Sequence, residues 1–158
     1  MWKKIKPYVI SVVIALGVGG LSALITRNSM QAYQSINQPP LNPPMVVFPI
    51  GWSVLFTLMG ISSAIVYTRK AEDKSEIYDA LKVYGFQLAV NFFWSIIFFN
   101  MRAYLFAFIW LLFLWVLIII MIVRFKRVSA AAAYLQIPYL LWVTFAGYLN
   151  LMVYILNR

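Results

Sequence analysis

The sequence predicts an all-α membrane protein, a bundle of five transmembrane helices. Of the 158 residues, 64% are hydrophobic and only 11% are charged, whereas about a quarter of an average soluble chain is charged. The mean hydropathy is +0.85. All four carboxylates lie between Glu72 and Asp79. A soluble domain would distribute its acids over its whole surface, so this clustering marks one water-exposed stretch in a chain that otherwise lies in lipid.

Runs without charged residues define the spans. A helix needs about 20 apolar residues to cross about 30 Å of hydrocarbon. One run, between Arg27 and Arg69, is about twice that length, but the prolines at 39, 40, 43 and 44 interrupt it, and proline breaks a helix. We therefore expect a loop at about 28–44. The predicted helices, in one domain covering residues 1–158, lie at about 7–27, 45–68, 80–101, 103–124 and 128–156.

The distribution of basic residues predicts the orientation of the bundle. The N-terminus and the second and fourth connections share one side of a five-helix protein and carry ten Lys and Arg residues, while the other side carries only Arg27, Arg102 and Arg158. By the positive-inside rule the N-terminus is cytoplasmic and the C-terminus lies outside. The net charge of +9 also predicts attraction to anionic membrane lipid. No nucleic-acid partner is expected, because the basic residues form no continuous stripe.

The first apolar stretch has two readings. Lysines precede it, as in a cleaved signal peptide, but its length of about 20 residues exceeds a typical signal core, so a retained helix is favoured. Ala15, Gly19 and Ala23 recur in it at four-residue spacing, which suits close packing of helices. That stripe could pack within the chain or form a dimer interface.

The composition excludes most conventional catalytic and metal sites. The chain has no Cys and no His, so it has no thiol nucleophile, no imidazole base and none of the usual ligands for zinc or haem iron. No metal or cofactor is expected. Because no acid lies within the helices, proton coupling through a membrane carboxylate is disfavoured. A site must therefore use aromatic side chains, amides and backbone groups.

Polar and aromatic residues share faces on three of the predicted helices. Side chains four residues apart lie on one helix face, and an unpaired amide in hydrocarbon is costly, so these faces should look inward. The amides could bond across helices and do nothing else, but three such faces in one small bundle favour a pocket. Pro138 should kink the last helix, whereas Trp110 and Trp115 should face lipid or neighbouring helices. The faces contain Trp52 and Phe56; Gln87, Asn91, Trp94 and Ser95; and Trp142, Ala146, Asn150 and Tyr154.

Three segments resemble motifs of the TspO/MBR family, which comprises the tryptophan-rich sensory proteins and the translocator protein, or peripheral-type benzodiazepine receptor. Residues 39–52 (PPLNPPMVVFPIGW) resemble the proline-rich entry to its second helix. Residues 86–95 (FQLAVNFFWS), followed by Phe98 and Phe99, resemble its third-helix motif, and residues 138–150 (PYLLWVTFAGYLN) its fifth-helix motif. The resemblance covers nearly the whole chain and implies a five-helix bundle, often dimeric, here in a bacterial cell membrane.

The resemblance implies a receptor or sensor that binds porphyrins, such as protoporphyrin or haem, and synthetic isoquinoline-carboxamide or benzodiazepine ligands. Two alternatives stay open. One is light-dependent degradation of porphyrin, for which Trp52 and Trp142 would be the catalytic candidates, and the other is passive transport of porphyrin or lipid. The implied pocket, capped by the first loop, contains Tyr33, Ile36, Trp52, Phe56, Gln87, Asn91, Trp94, Trp142 and Ala146.

The chain departs from the family pattern at several positions. Many members have Trp, Pro and Tyr where this chain has Val46, Ile50 and Phe56, and many bacterial members have Asp where it has Trp110. Loss of the Tyr hydroxyl at Phe56 removes one polar contact. A proposed cholesterol pattern is matched by Leu149, Tyr154 and Arg158, but it is weak. Its reversed form fits equally well at Lys6, Tyr8 and Val12, so a sterol is not the expected natural ligand.

Overall fold

The computed structural model describes all of residues 1–158 and contains helices but no strands. Five helical stretches are long and apolar enough to cross a membrane, which confirms the predicted five-helix bundle and makes the chain an integral membrane protein. The third stretch continues into a π-helical segment, and the fifth is split in two. The elements are α1 (Trp2–Tyr33), α2 (Val47–Tyr67), α3 (Ser75–Ser95), the π segment (Ile96–Asn100), α4 (Tyr104–Val128), α5 (Ala130–Leu135) and α6 (Ile137–Asn157).

The first helix is longer than predicted, and the loop after it is correspondingly shorter. The expected loop began at residue 28, but α1 continues to Tyr33 because no Pro or Gly interrupts residues 27–33. At 1.5 Å per residue its 32 residues extend roughly 48 Å, well beyond about 30 Å of hydrocarbon. Arg27 therefore indicates where the apolar run ends, while the helix itself projects further.

The acidic stretch is only partly a connector, which corrects the expectation that residues 72–79 form a loop. Helix α3 begins at Ser75, so Glu76 and Asp79 are helical. Asp79 pairs with Arg124 near the end of α4, which is also helical. The backbone N–H of Ser75 donates to Asp73 at 2.9 Å, and this bond, assisted by the Ser75 side chain, holds the pKa of Asp73 below its usual value.

A π-helical segment and a tight turn lead from α3 into α4. The segment Ile96–Asn100 adds a residue to the helical turn, and such segments often occur at functional sites. Arg102 then adopts a left-handed conformation with φ of 52°, which reverses the chain within three residues. The π segment rotates the side chains that follow Ser95 about the helix axis, so Phe98 is buried and Phe99 packs against the core.

Close helix packing in the bundle depends on small residues of α1 and α2. A Cβ atom on Gly60 of α2 would lie 2.5 Å from the Cα of Val12, so the two backbones approach each other there. Gly19 faces the Phe56 ring in the same way, and Ala15 is fully buried. Ala15 and Gly19 of the small-residue stripe thus pack within the chain, whereas Ala23 is exposed.

The last predicted helix is divided by a break next to Pro138. Helix α5 ends at Leu135 and α6 begins at Ile137, which places the proline in the first turn of α6, where its missing N–H costs no helical hydrogen bond. The Ser129 hydroxyl caps α5 by accepting from the N–H of Ala132 at 3.3 Å. The kink expected at Pro138 is therefore a full helix break.

Replacing Gly60 by Ala should destabilise the bundle. The added methyl group would meet the α1 backbone, and overpacking of this kind costs about 1–3 kcal/mol. We expect a lower thermal unfolding midpoint in detergent. Gly85→Ala is the matched control, because a Cβ there meets no atom within 4 Å. Equal midpoints for the two variants would show that the α1–α2 contact is not tight.

Candidate functional site

A cavity of about 250 Å³ lies inside the bundle beneath the loop that joins α1 to α2. We call residues 34–46 of this loop the lid. Most of the lining is apolar and none of it is charged. The lining residues are Gly19, Ser22, Ala23, Thr26, Met30, Tyr33, Met45, Phe48, Pro49, Trp52, Phe56, Asn91, Trp94, Ser95, Phe98, Phe99, Trp142, Phe145, Ala146, Leu149 and Asn150.

Aromatic rings form the walls of the cavity in two groups. On one side Trp52 lies 5.6 Å from Phe56, one turn along α2, and 6.2 Å from Trp142 of α6, with the two indole planes at 82°. On the other side Trp94 stacks on Phe98 at 5.2 Å with an interplanar angle of 25°. Offset-stacked and edge-to-face pairs stabilise each other beyond their buried area, so each group forms a firm apolar surface.

Two glycines make room for these rings. A Cβ atom on Gly51 would lie 2.9 Å from the Trp142 ring, and one on Gly19 would lie 2.5 Å from the Phe56 ring. Neither glycine has a positive φ, so the reason for glycine is the close approach of the ring. Both positions therefore help to shape the cavity, although neither carries a side chain.

A buried chain of hydrogen bonds forms the floor of the cavity. Asn91 Nδ2 donates to the Tyr139 hydroxyl at 2.6 Å, and that hydroxyl donates to Gln87 Oε1 at 2.6 Å. All three side chains are buried. Asn91 lines the cavity, whereas Gln87 lies one turn away and does not. Gln87 therefore does not line the cavity, but it holds the Tyr139 hydroxyl to which Asn91 donates.

Asn150 joins three helices at the side of the cavity. Its Oδ1 accepts from the indole N–H of Trp94 at 3.1 Å, and its Nδ2 donates to the carbonyl of Tyr104 at 2.8 Å. Gln87, Asn91 and Asn150 therefore do bond across helices, as one of the two readings held. Asn91 and Asn150 also line the cavity, so the two interpretations are compatible.

Five of the six tryptophans fall into two classes, according to whether the indole N–H group has a hydrogen-bond acceptor within the chain. Trp94, Trp110 and Trp115 each donate to another helix, to Asn150, the Val90 carbonyl and the Thr144 hydroxyl respectively. The N–H groups of Trp52 and Trp142 have no acceptor within the chain, although both side chains line the cavity. A half-buried indole normally finds a partner, so these two donors are available to a bound molecule.

The lid is attached to the end of α6 by reciprocal hydrogen bonds. The backbone N–H of Asn37 donates to Asn157 Oδ1 at 3.0 Å, and Asn157 Nδ2 donates to the Asn37 carbonyl at 2.9 Å. The Tyr148 hydroxyl also donates to the carbonyl of Pro40 at 2.7 Å. We call the Asn37–Asn157 pair the latch. It holds the lid closed over the aromatic rings.

The cavity brings together most of the residues that sequence reasoning had grouped. Seven of the nine line it: Tyr33, Trp52, Phe56, Asn91, Trp94, Trp142 and Ala146. Gln87 lies beneath, and Ile36 packs against the core without reaching the cavity. The weak sterol pattern is divided, because Leu149 lines the cavity while Arg158 is exposed at the end of the chain.

Sequence reasoning missed Tyr139, which connects the two amides of the floor. A usable signal was present, since Tyr139, Val143, Ala146 and Asn150 follow the i, i+4, i+7 and i+11 spacing of one helix face. Phe98 was recognised as part of a motif, but its place in the cavity depends on the π segment, which no local pattern indicated.

Loss of the Tyr139 hydroxyl should destabilise the protein. Tyr139→Phe leaves one amide donor and one amide acceptor unpaired in the core, and such groups cost about 1–3 kcal/mol each. The thermal unfolding midpoint in detergent should fall clearly. Tyr134→Phe is the control, since Tyr134 is 59% exposed. A Tyr139→Phe protein as stable as this control would contradict the bridging role.

Comparison with known proteins gives consistent matches. The TspO/MBR family profile matches residues 9–156. A tryptophan-rich protein TspO of Chlorobaculum tepidum is 34% identical over 94% of this chain and 92% of its own length. Protein CrtK of Rhodobacter capsulatus is 35% identical over 79% of this chain and 78% of its own. The translocator protein of Bos taurus is 33% identical, with coverages of 84% and 79%.

Proposed function

Since the chain belongs to the TspO/MBR family, we propose that it is a membrane receptor or sensor for flat aromatic ligands. The ligands are porphyrins, such as protoporphyrin or haem, and synthetic isoquinoline-carboxamide or benzodiazepine-type compounds. The binding site is the cavity beneath the lid. By the distribution of basic residues, this end of the bundle faces outside and the N-terminus is cytoplasmic.

The observation that carries the proposal is the pair of half-buried indoles with unpaired N–H groups, Trp52 and Trp142. Their rings give a planar molecule an apolar surface on which to stack. Their N–H groups, together with the unpaired Oδ1 of Asn91, give it a few directed polar contacts. A largely apolar cavity with few convergent polar groups is typical of small-molecule sites. A carboxylate or an amide carbonyl on the ligand would accept from the indoles.

The size of the cavity requires the lid to take part in binding. Its volume of about 250 Å³ is below the roughly 300–1,000 Å³ of pockets that hold drug-sized ligands. A macrocycle therefore needs more space than the closed state provides. Ile36 and Met45 of the lid pack against the core, whereas the hydrogen bonds of the lid to α6 are exposed. Such bonds contribute about 1 kcal/mol each, so we infer that the lid moves to admit the ligand.

A second candidate activity is light-dependent degradation of porphyrin. It is favoured by the contact between Trp52 and Trp142, because a bound photosensitiser would lie against two oxidisable indoles. The chain has no general base for ordinary hydrolysis in this cavity, since no charged residue or histidine lines it. Comparing porphyrin loss in light and in darkness, with and without oxygen, separates this activity from binding alone.

Replacing either cavity indole should weaken binding of protoporphyrin. Trp52→Phe and Trp142→Phe keep an aromatic ring but remove one N–H donor, so Kd should rise about tenfold for each, the equivalent of about 1.4 kcal/mol. The measurement is quenching of protein and porphyrin fluorescence in detergent. Trp2→Phe is the matched control, because Trp2 lies exposed near the N-terminus, outside the cavity. If all three variants bind like the parent, the cavity is not the binding site.

Opening the latch should accelerate ligand exchange. Asn157→Ala removes both reciprocal bonds to Asn37, which lowers the cost of moving the lid but leaves the cavity contacts unchanged. The association and dissociation rates of protoporphyrin, measured by stopped-flow fluorescence, should both rise about fivefold, and Kd should change less than either rate. Asn28→Ala is the control, since Asn28 is exposed on α1 and its side chain makes no hydrogen bond. Unchanged rates would mean that ligands enter by another route.

A further inference from the structure

A second cavity, of about 400 Å³, lies at the end of the bundle opposite the lid. It is bounded by the beginning of α1, the end of α2 and the beginning of α3, and it shares no residue with the first cavity. Ile10, Ile14 and Leu81 form apolar walls. Ile10 and Ile14 are also exposed on the outer surface of α1, so the cavity is continuous with the face that contacts lipid.

Lys6, Tyr67 and Tyr84 of this second cavity make no ion pair or side-chain hydrogen bond within the chain. The Tyr84 side chain is only 8% exposed, and its hydroxyl lies near the Ser63 hydroxyl without a hydrogen bond to it. Lys6 has no carboxylate partner, because the single ion pair of the protein joins Asp79 to Arg124. An unpaired hydroxyl in a membrane-embedded site is costly, so the Tyr84 hydroxyl is a donor that a bound molecule would satisfy, while Lys6 is exposed at the mouth of the cavity.

The two serines of this cavity are already satisfied. The hydroxyls of Ser11 and Ser63 bond to each other at 2.5 Å and so join α1 to α2. Ser63 also donates, at 3.1 Å, to the carbonyl of Gly60. The groups left for a ligand are thus the Lys6 ammonium near the end of the bundle, the exposed Tyr67 hydroxyl, and the Tyr84 hydroxyl nearer the interior, with apolar surface between them.

We propose that the second cavity binds one anionic phospholipid of the surrounding bilayer. Its phosphate pairs with Lys6, an acyl ester oxygen accepts from the Tyr84 hydroxyl, and an acyl chain lies along Ile10 and Ile14. The local charge is complementary to such a headgroup, because α1 begins with Lys3, Lys4 and Lys6 and contains no acid. A free phosphate would leave the apolar walls uncovered, and the phosphate of a zwitterionic lipid already has the cation of its own headgroup beside it, which weakens its attraction to Lys6.

The test uses the full chain in neutral detergent with added lipid. Palmitoyl-oleoyl phosphatidylglycerol should bind, as seen by native mass spectrometry and by a rise in the thermal unfolding midpoint, more tightly than phosphatidylcholine of the same chains. Lys6→Gln should weaken phosphatidylglycerol binding about fivefold, the contribution of one lysine near anionic headgroups. Lys3→Gln, outside the cavity, should bind like the parent. Equal loss in both variants would overturn the proposal.

Tyr84→Phe distinguishes ligand binding from a structural role. Because the hydroxyl has no partner, its removal should leave the midpoint of the lipid-free protein unchanged or raised, yet weaken phosphatidylglycerol binding about two- to tenfold. Tyr78→Phe, exposed on the same helix, is the control. A lower lipid-free midpoint together with unchanged lipid binding would show that the hydroxyl is structural and would overturn the proposal.

Two further measurements identify the class of ligand and separate the lipid proposal from the proposal of porphyrin binding. If glycerol phosphate alone raises the midpoint as much as the lipid, or if phosphatidylcholine binds equally well, an anionic phospholipid is the wrong ligand. Protoporphyrin binding should be the same in Lys6→Gln, Tyr84→Phe and the parent. Since the two cavities share no residue, a failure of lipid binding and a failure of porphyrin binding are separate results.

Discussion

The rest of the bundle depends on the buried chain of hydrogen bonds from Asn91 through Tyr139 to Gln87. In hydrocarbon every buried polar group needs a partner within the protein, since no water can replace it. This chain pairs the Asn91 Nδ2 donor, the Tyr139 hydroxyl and the Gln87 Oε1 acceptor at once, and it fixes α3 against α6. Because Trp142 lies on α6, three residues after Tyr139, the same bonds hold one aromatic wall opposite the other.

Charge is kept out of this interior, and that restricts the chemistry available to the protein. The one ion pair, Asp79 with Arg124, lies near the ends of α3 and α4, away from the lid cavity. Stability and recognition within the bundle therefore use the same neutral groups, amides and indoles. A structural indole differs from a binding indole in whether its N–H group already has an acceptor in the chain. The N–H of Trp94 donates to Asn150, whereas those of Trp52 and Trp142 have no acceptor.

Sequence reasoning predicted the number of helices, and seven of the nine residues that it grouped line the cavity, but it misjudged several helix ends. It placed the end of the first helix near Arg27 and the start of the third near residue 80, while the helices extend to Tyr33 and begin at Ser75. Charged residues mark the boundary of the hydrocarbon, and a helix may continue past it into water. Tyr139 and Phe98 were missed because their roles depend on a partner helix and on the π segment.

By itself the sequence determined that the chain is a five-helix membrane protein whose interior contains no acid, histidine or cysteine. These properties follow from the composition and from the spacing of charged and apolar residues along the chain. Only the tertiary structure decided which tryptophans are structural and which are free to bind, and that the lid is attached to α6 through Asn37 and Asn157. These features rest on contacts between residues far apart in the chain, such as the pair at positions 37 and 157. No local pattern encodes the distance between such groups.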